Sequence, residues 1–221
     1  MALTTYAELQ TAIANWLGRP GDTVVTDNDD DWITLAEQRI YYGSGEPGDP
    51  IHSPAVRCRL METAADIAID AQEESLPAGW LGARRVYINT DPIKALQFMP
   101  PTDFWNRWLG SVSGEPDAFT IEGDSIFFGP TPDGAYTVKT RFWTKFSALS
   151  GAVNALFTAA PNLWLYGSLI EAAIYGVAPR GMSPDQATAH WCRLLRATAQ
   201  GLNAADQIDR FGGAPLVVRP S

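Results

Sequence analysis

Pro161-Asn-Leu-Trp-Leu-Tyr-Gly-Ser-Leu-Ile-Glu-Ala-Ala-Ile-Tyr-Gly176 is the stretch whose reading decides the fold. Leu163, Tyr166, Leu169, Ile170, Ala173, Ile174 and Val177 recur at steps of three and four, the period of a helix. The run is apolar almost all the way round, so it must be wrapped by other helices or by neighbouring copies. It is short for a bilayer crossing, and Ser168 and Glu171 interrupt it, which argues against a membrane span. Glu171, in the middle, needs a partner if it is buried.

Three more helices are expected around it. Thr5-Tyr-Ala-Glu8 is a capping box, in which hydroxyl and carboxylate satisfy the free amides of a first turn. Tyr6, Leu9, Ile13, Trp16 and Leu17 continue it to about residue 18, where Gly18-Arg-Pro-Gly21 stops it. Asp27-Asn-Asp-Asp-Asp31 places carboxylates at the positive start of a second helix, about 31–43. The Pro161 run to Val177 is the third, ended by Ala178-Pro179-Arg-Gly181. Ser183-Pro184 opens the fourth, with Ser at the cap and Pro at the first position. Its buried face is Ala187, Trp191, Leu194, Leu195, Thr198, Leu202 and Ala205, to about Phe211, where Gly212-Gly213 caps it.

Between the helix pairs the period changes from about 3.6 to 2. Ala65, Ile67 and Ile69 alternate with polar or small residues, as in a half-exposed strand. Arg84–Asn89 is a second strand, and Asp91-Pro92 reads as the turn to Lys94–Met99. A short helix is expected from Asp103 to about Leu109. Phe119–Ile121 and Ser125–Phe128 flank the tight turn Glu122-Gly-Asp124, and Pro130-Thr-Pro-Asp-Gly134 turns toward the alternating Tyr136–Trp143. Glu73-Glu74 reads as a polar stretch before a turn. The expected class is α+β: an antiparallel helical bundle from both chain ends, with an inserted antiparallel β module. The divisions are 1–55 (helices and a Pro/Gly loop), 56–146 (β module), 147–211 (helices) and 212–221 (an extended arm).

Composition restricts the function. The chain has 221 residues, is 46% hydrophobic and carries a formal charge of −9. That balance supports a packed fold and opposes grip on nucleic-acid phosphates, which takes clustered Lys and Arg. It suits a wall past which DNA slides without sticking. Cys58 and Cys192 stand apart, with no metal spacing, and read as reduced thiols. Residues 1–6 show no signal-peptide pattern. His190 and Cys192, two apart on a helix, point about 200° from each other and cannot share a metal. Asp27, Asp29 and Asp31 match the start of an EF-hand loop. Trp32 and Gln38 then stand where Gly and the bidentate Glu belong, so the run reads as a solvated cap. No nucleophile elbow, phosphate loop or dinucleotide fingerprint occurs. We expect no enzyme, no cofactor and no metal site.

The wording of several segments adds to their pattern. "TYAELQTAIANWLGR", "WITLAEQRI", "METAADIAI", "LPAGWLGARRVYI", "EPDAFTIEGDSIFFGPTPDGAYTVKTRFWTKFSALS", "PNLWLYGSLIEAA" and "LNAADQIDRFGGAPLVVRP" follow in an order that resembles the adaptor (head-to-tail connector) proteins of short-tailed double-stranded DNA phages. The insert Tyr42–Pro54 departs from that pattern. The resemblance implies a virion protein of the neck, made in the host cytoplasm. It also implies a ring of about a dozen copies below the portal, through which double-stranded DNA passes, docked to nozzle or tail-fibre proteins.

Two sets of residues are candidates for contacts. Pro215, Leu216, Val217, Val218 and Arg219 form a strand-like arm that the resemblance makes the candidate portal contact. Trp164, Tyr166, Leu169, Ile170, Ile174, Trp191 and Leu195 are candidates for core or subunit packing. Competing readings are a head-closure or tail-completion protein of a long-tailed phage, a carbohydrate-binding tail-fibre module built on the tryptophans, and a metal-dependent hydrolase holding a divalent ion at the Asp27–Asp31 run.

Overall fold

The structure, a computed structural model, describes residues 3–108, 110, 112–150 and 152–211, the last six as backbone alone. Its elements in chain order are α1 (Tyr6–Trp16), α2 (Thr23–Thr26), α3 (Asp29–Tyr42), β1 (Glu62–Ile69), β2 (Glu73–Ser75), β3 (Trp80–Ile88), β4 (Lys94–Ala95), β5 (Gln97–Phe98), α4 (Pro101–Trp108), β6 (Ala118–Glu122), β7 (Ser125–Gly129), β8 (Tyr136–Thr144), α5 (Ala155–Ala159), α6 (Asn162–Ile174) and α7 (Pro184–Phe211). The class is α+β, as the sequence suggests. The chain divides into a helical unit, up to Met61 and again from Phe146, and a β unit, Glu62–Lys145.

In the helical unit α6 is the central element. Leu163, Trp164, Leu165, Gly167, Ser168, Leu169, Ile170, Ala172 and Ala173 are all buried, with α1, α3, α5 and α7 packed around them. Each large side chain removed from water here contributes about 1.5–3 kcal/mol, which is why an all-round apolar helix takes the centre. The helix ends at Ile174, three residues short of the expected Val177. Gly176 adopts φ 101°, and the N–H groups of Gly176 and Val177 bond back to the carbonyls of Ala173 and Ala172. These two bonds close the last turn.

The caps follow the sequence. Thr5 accepts from the Glu8 N–H while Glu8 accepts from the Thr5 N–H. Ser183 and Gln186 exchange the same pair of bonds ahead of α7, with Pro184 first in the helix. Helix α2, four residues capped by Asp22, lies where the sequence shows only a linker.

The β unit is two four-stranded sheets, ordered β1-β8-β3-β4 and β2-β7-β6-β5. Ile67, Ile69, Val86, Ile88 and Val138 of the first pack with Phe119, Ile126 and Phe128 of the second in one core. The alternation of β1 is observed: Ile67 and Ile69 are buried while Asp66 and Ala68 are exposed. The module is not wholly antiparallel, because β5 pairs with β6 in parallel. The chain leaves β4, which bonds β3, and crosses within two residues to the other sheet. Leu96 donates to the Val86 carbonyl and Gln97 to that of Asp117. Glu73–Ser75, expected as a polar turn approach, is instead a strand against β7.

Candidate interaction surfaces

The polar groups inside the helical unit are tied to particular partners. Glu171 accepts from Arg39 of α3, Nε at 2.8 Å and Nη2 at 2.7 Å. Both side chains are nearly buried, so each needs the other. Arg39 also donates to the Ser44 hydroxyl, tying the pair to the 43–55 loop. Glu37, also buried, accepts from the Leu149 N–H (2.8 Å) and the Trp164 indole N–H (3.2 Å). Where α3 crosses α6, a Cβ on Gly167 would lie 2.7 Å from the Ala36 Cβ. Backbones meet there, and only hydrogen fits.

Most of the packing candidates are core of this one protomer. Trp164, Leu169, Ile170, Trp191 and Leu195 are buried. Tyr166 is half-buried and stacks on Trp191, ring centroids 6.1 Å apart. Ile174 is the exception, 58% exposed because the helix ends there. Beside it stands exposed Tyr175, whose ring also meets Trp32. Trp16, read as an inward-facing stripe residue, is 46% exposed over Trp191. The arm residues Pro215, Leu216, Val217, Val218 and Arg219 lie outside the described residues.

The acidic run is not the solvated cap the sequence suggests: Asp29, Asp30 and Asp31 form the first turn of α3, the cap residue Asn28 makes no side-chain cap bond, and Asp29 is buried. Asp29 and Asp30 accept from the Gln10 amide, and Asp30 accepts from the Tyr6 hydroxyl at 2.6 Å. Burial pushes the Asp29 carboxyl above its ordinary value. Burial first, then the Asp30 bond, pushes the Tyr6 phenol up. Among the described residues, no three His, Cys, Asp or Glu side chains are grouped to hold a metal ion. His190 instead meets the Trp191 ring edge-on. Cys192 is buried, its thiol pushed up by desolvation.

In the β unit Trp80, Trp105 and Trp143 pack against the protein's own side chains, while Phe98 is exposed. Trp80 stacks on Phe142 at 4.5 Å, Trp105 meets Phe104 and Phe127 edge-on and donates to Glu122, and Trp143 lies under the Arg84 guanidinium.

Several organising residues carry no local signature in the sequence. Arg196 of α7 donates to the carbonyls of His52, Asp49 and Pro50, fastening the loop insert. Asn203 holds the Arg57 N–H and the Ala55 carbonyl. On the outer face of the first sheet, exposed Arg85 and Arg141 stand directly opposite each other. These pairings join residues from 56 to 148 positions apart, beyond any spacing rule. No described helix is long and apolar enough to cross a membrane.

A family model described as SU10 adaptor protein matches residues 4–219. No curated protein matches the chain. With nearly its whole length inside that match, the chain belongs to the SU10 adaptor family of phage structural proteins.

Proposed function

We propose that this protein is the head-to-tail adaptor of a short-tailed phage. About a dozen copies form a ring below the portal, lengthen the DNA channel and dock nozzle or tail-fibre proteins. The observation that carries the reading is the family match over residues 4–219. The architecture is compatible with it. The central helix is wrapped by the protomer's own helices, so a single copy has a complete core before assembly. Trp16, Tyr42, Ile174 and Tyr175 remain outside as apolar contacts. A preformed portal ring supplies effective concentration, so modest contacts per copy suffice. The formal charge of −9 lets DNA pass without sticking. The arm, Pro215 to Arg219, is the proposed portal contact, and the β unit the contact with tail parts.

Particles assembled without this chain are expected to have filled heads and no tails; normally tailed particles would reject the reading. Deleting residues 212–221 is expected to abolish attachment to portal rings while circular dichroism keeps its helical signal. Undiminished attachment would remove the arm from the account.

A further inference from the structure

Strand β3 carries an extra residue at Arg84. Ala83 stands opposite Phe142 and Arg85 opposite Arg141, so two steps along β3 match one along β8. A bulge of this kind re-aims side chains and is common beside functional sites. Ala83 packs toward the core between the sheets. Arg84 and Arg85 both lie on the outer face, Arg84 over the Trp143 ring and Arg85 over the Tyr87 ring, each guanidinium 5.0 Å from the ring centre. Strict alternation would have sent one of the two inward.

Three rows of side chains cross this face. In the first, Glu62 stands opposite Trp143 and is ion-paired to Arg84. In the third, Asp66 stands opposite Lys139 and pairs with it at 2.7 Å, and Tyr87 lies on the other side of Lys139. The middle row is Ala64, Arg141 and Arg85. Strand β1 therefore supplies a carboxylate to each outer row and only a methyl group to the middle one. Arg85 and Arg141, both exposed, have no carboxylate partner among the described residues. Like charges directly opposite, with Cβ atoms about 5 Å apart, are unfavourable in a sheet, so the fold itself gains nothing from this pair.

We infer that Arg85 and Arg141 form a seat for a carboxylate of an acidic protein partner, an Asp or Glu side chain that accepts from both guanidiniums. The inference rests on the reading of the β unit as the contact with tail parts and names the chemistry of that contact. Guanidinium forks match a planar carboxylate. The Tyr87 ring already holds the Arg85 head, which lowers the entropy lost on binding. The surroundings select the ligand. Arg84 and Lys139 are neutralised by Glu62 and Asp66, so two cations remain in excess. That is enough for one carboxylate and too few for duplex DNA, which is gripped through several phosphates at once and is repelled by a chain of charge −9. Arginine among aromatic rings, here Tyr87 and Trp143, is also the composition of protein contact centres. A single exposed ion pair is weak, and its repetition in every copy of a ring multiplies it.

The test uses the full chain seated on portal rings, with nozzle or tail-fibre proteins of the same particle as the probe. Arg85→Glu combined with Arg141→Glu is expected to weaken their capture at least tenfold, while portal attachment and Tm are not lowered. A second measurement reads the seat itself, through the arginine Nε–H signals of the isotope-labelled chain in solution. A blocked Gly-Glu-Gly peptide is expected to shift those of Arg85 and Arg141 saturably, and a Gly-Gln-Gly peptide to shift neither. Undiminished capture by the doubly substituted chain, or equal shifts with the two peptides, overturns the seat and leaves the docking role of the β unit standing. Loss of ring closure in place of tail capture would assign the arginines to a neighbouring copy. A duplex oligonucleotide that moves the same signals at about 0.15 M salt would assign them to DNA. Either result overturns the inference. A parent complex that captures no tail protein overturns the docking reading, and the inference with it.

Discussion

Replacing Gly167 by alanine sets two effects of known size against each other. Helix propensity alone favours alanine by about 1 kcal/mol inside a helix. The structure opposes it: the new Cβ would stand 2.7 Å from the Ala36 Cβ and 3.4 Å from its Cα. Carbon atoms rest near 3.5–4.0 Å, so α3 and α6 would have to part by about 1 Å. Ala36 is fully buried and has no flexible end to yield. Overpacking of this kind costs typically about 1–3 kcal/mol, and the upper half of that range applies where backbone must move. The net expectation is a loss of about 1–2 kcal/mol, a fall in Tm of roughly 2–8 °C for a chain of this size. Thermal melts followed at 222 nm report it. Adding Ala36→Gly removes the obstructing methyl, so the double variant should be more stable than the sum of the single changes by at least about 1 kcal/mol. A Gly167→Ala protein as stable as the parent, or strictly additive changes, would show that the helices do not meet as closely as described.

Glu171→Ala leaves the nearly buried Arg39 without its carboxylate and is expected to cost about 3–5 kcal/mol, whereas Arg39→Met with Glu171→Leu should recover most of that; urea titration of both variants distinguishes pair from point. The Asp29 carboxyl, raised above its ordinary 3.8 by burial, makes the folded state bind the proton more tightly than the unfolded one. Its charge therefore costs stability above that window, and the cost is relieved as pH falls through it. The parent should gain on Asp29→Asn as melts move from pH 6 to pH 4, and a constant or reversed difference contradicts this. Cys58 and Cys192, both buried, with the Cys192 thiol raised by desolvation, should resist a thiol reagent in the native protein and react promptly in denaturant; rapid native labelling of either refutes its placement.

What the sequence discloses is what local chemistry determines. The Thr5/Glu8 and Ser183/Pro184 helix starts, the burial of α6 and the alternation of Ile67 and Ile69 all depend on neighbours within a few positions, and all appear in the structure. The need of Glu171 for a partner was also legible, but not that Arg39, 132 residues away, supplies it. Periodicity carried Ile174 inward, although the Gly176 closure ends the helix and leaves that side chain outside. The parallel β5–β6 pair and the Arg85–Arg141 opposition arise from strand order, which no local pattern encodes. The packing candidates were legible as apolar positions. Their assignment to core rather than subunit contact needed the fold, because both require the same side chains.

The direct test of the central claim is the mass of the complex formed when this chain is mixed with isolated portal rings. Native mass spectrometry is predicted to show a single species carrying a closed complement of about twelve copies, with few partly filled rings. Portal rings that stay bare at saturating concentrations of the chain would contradict the account.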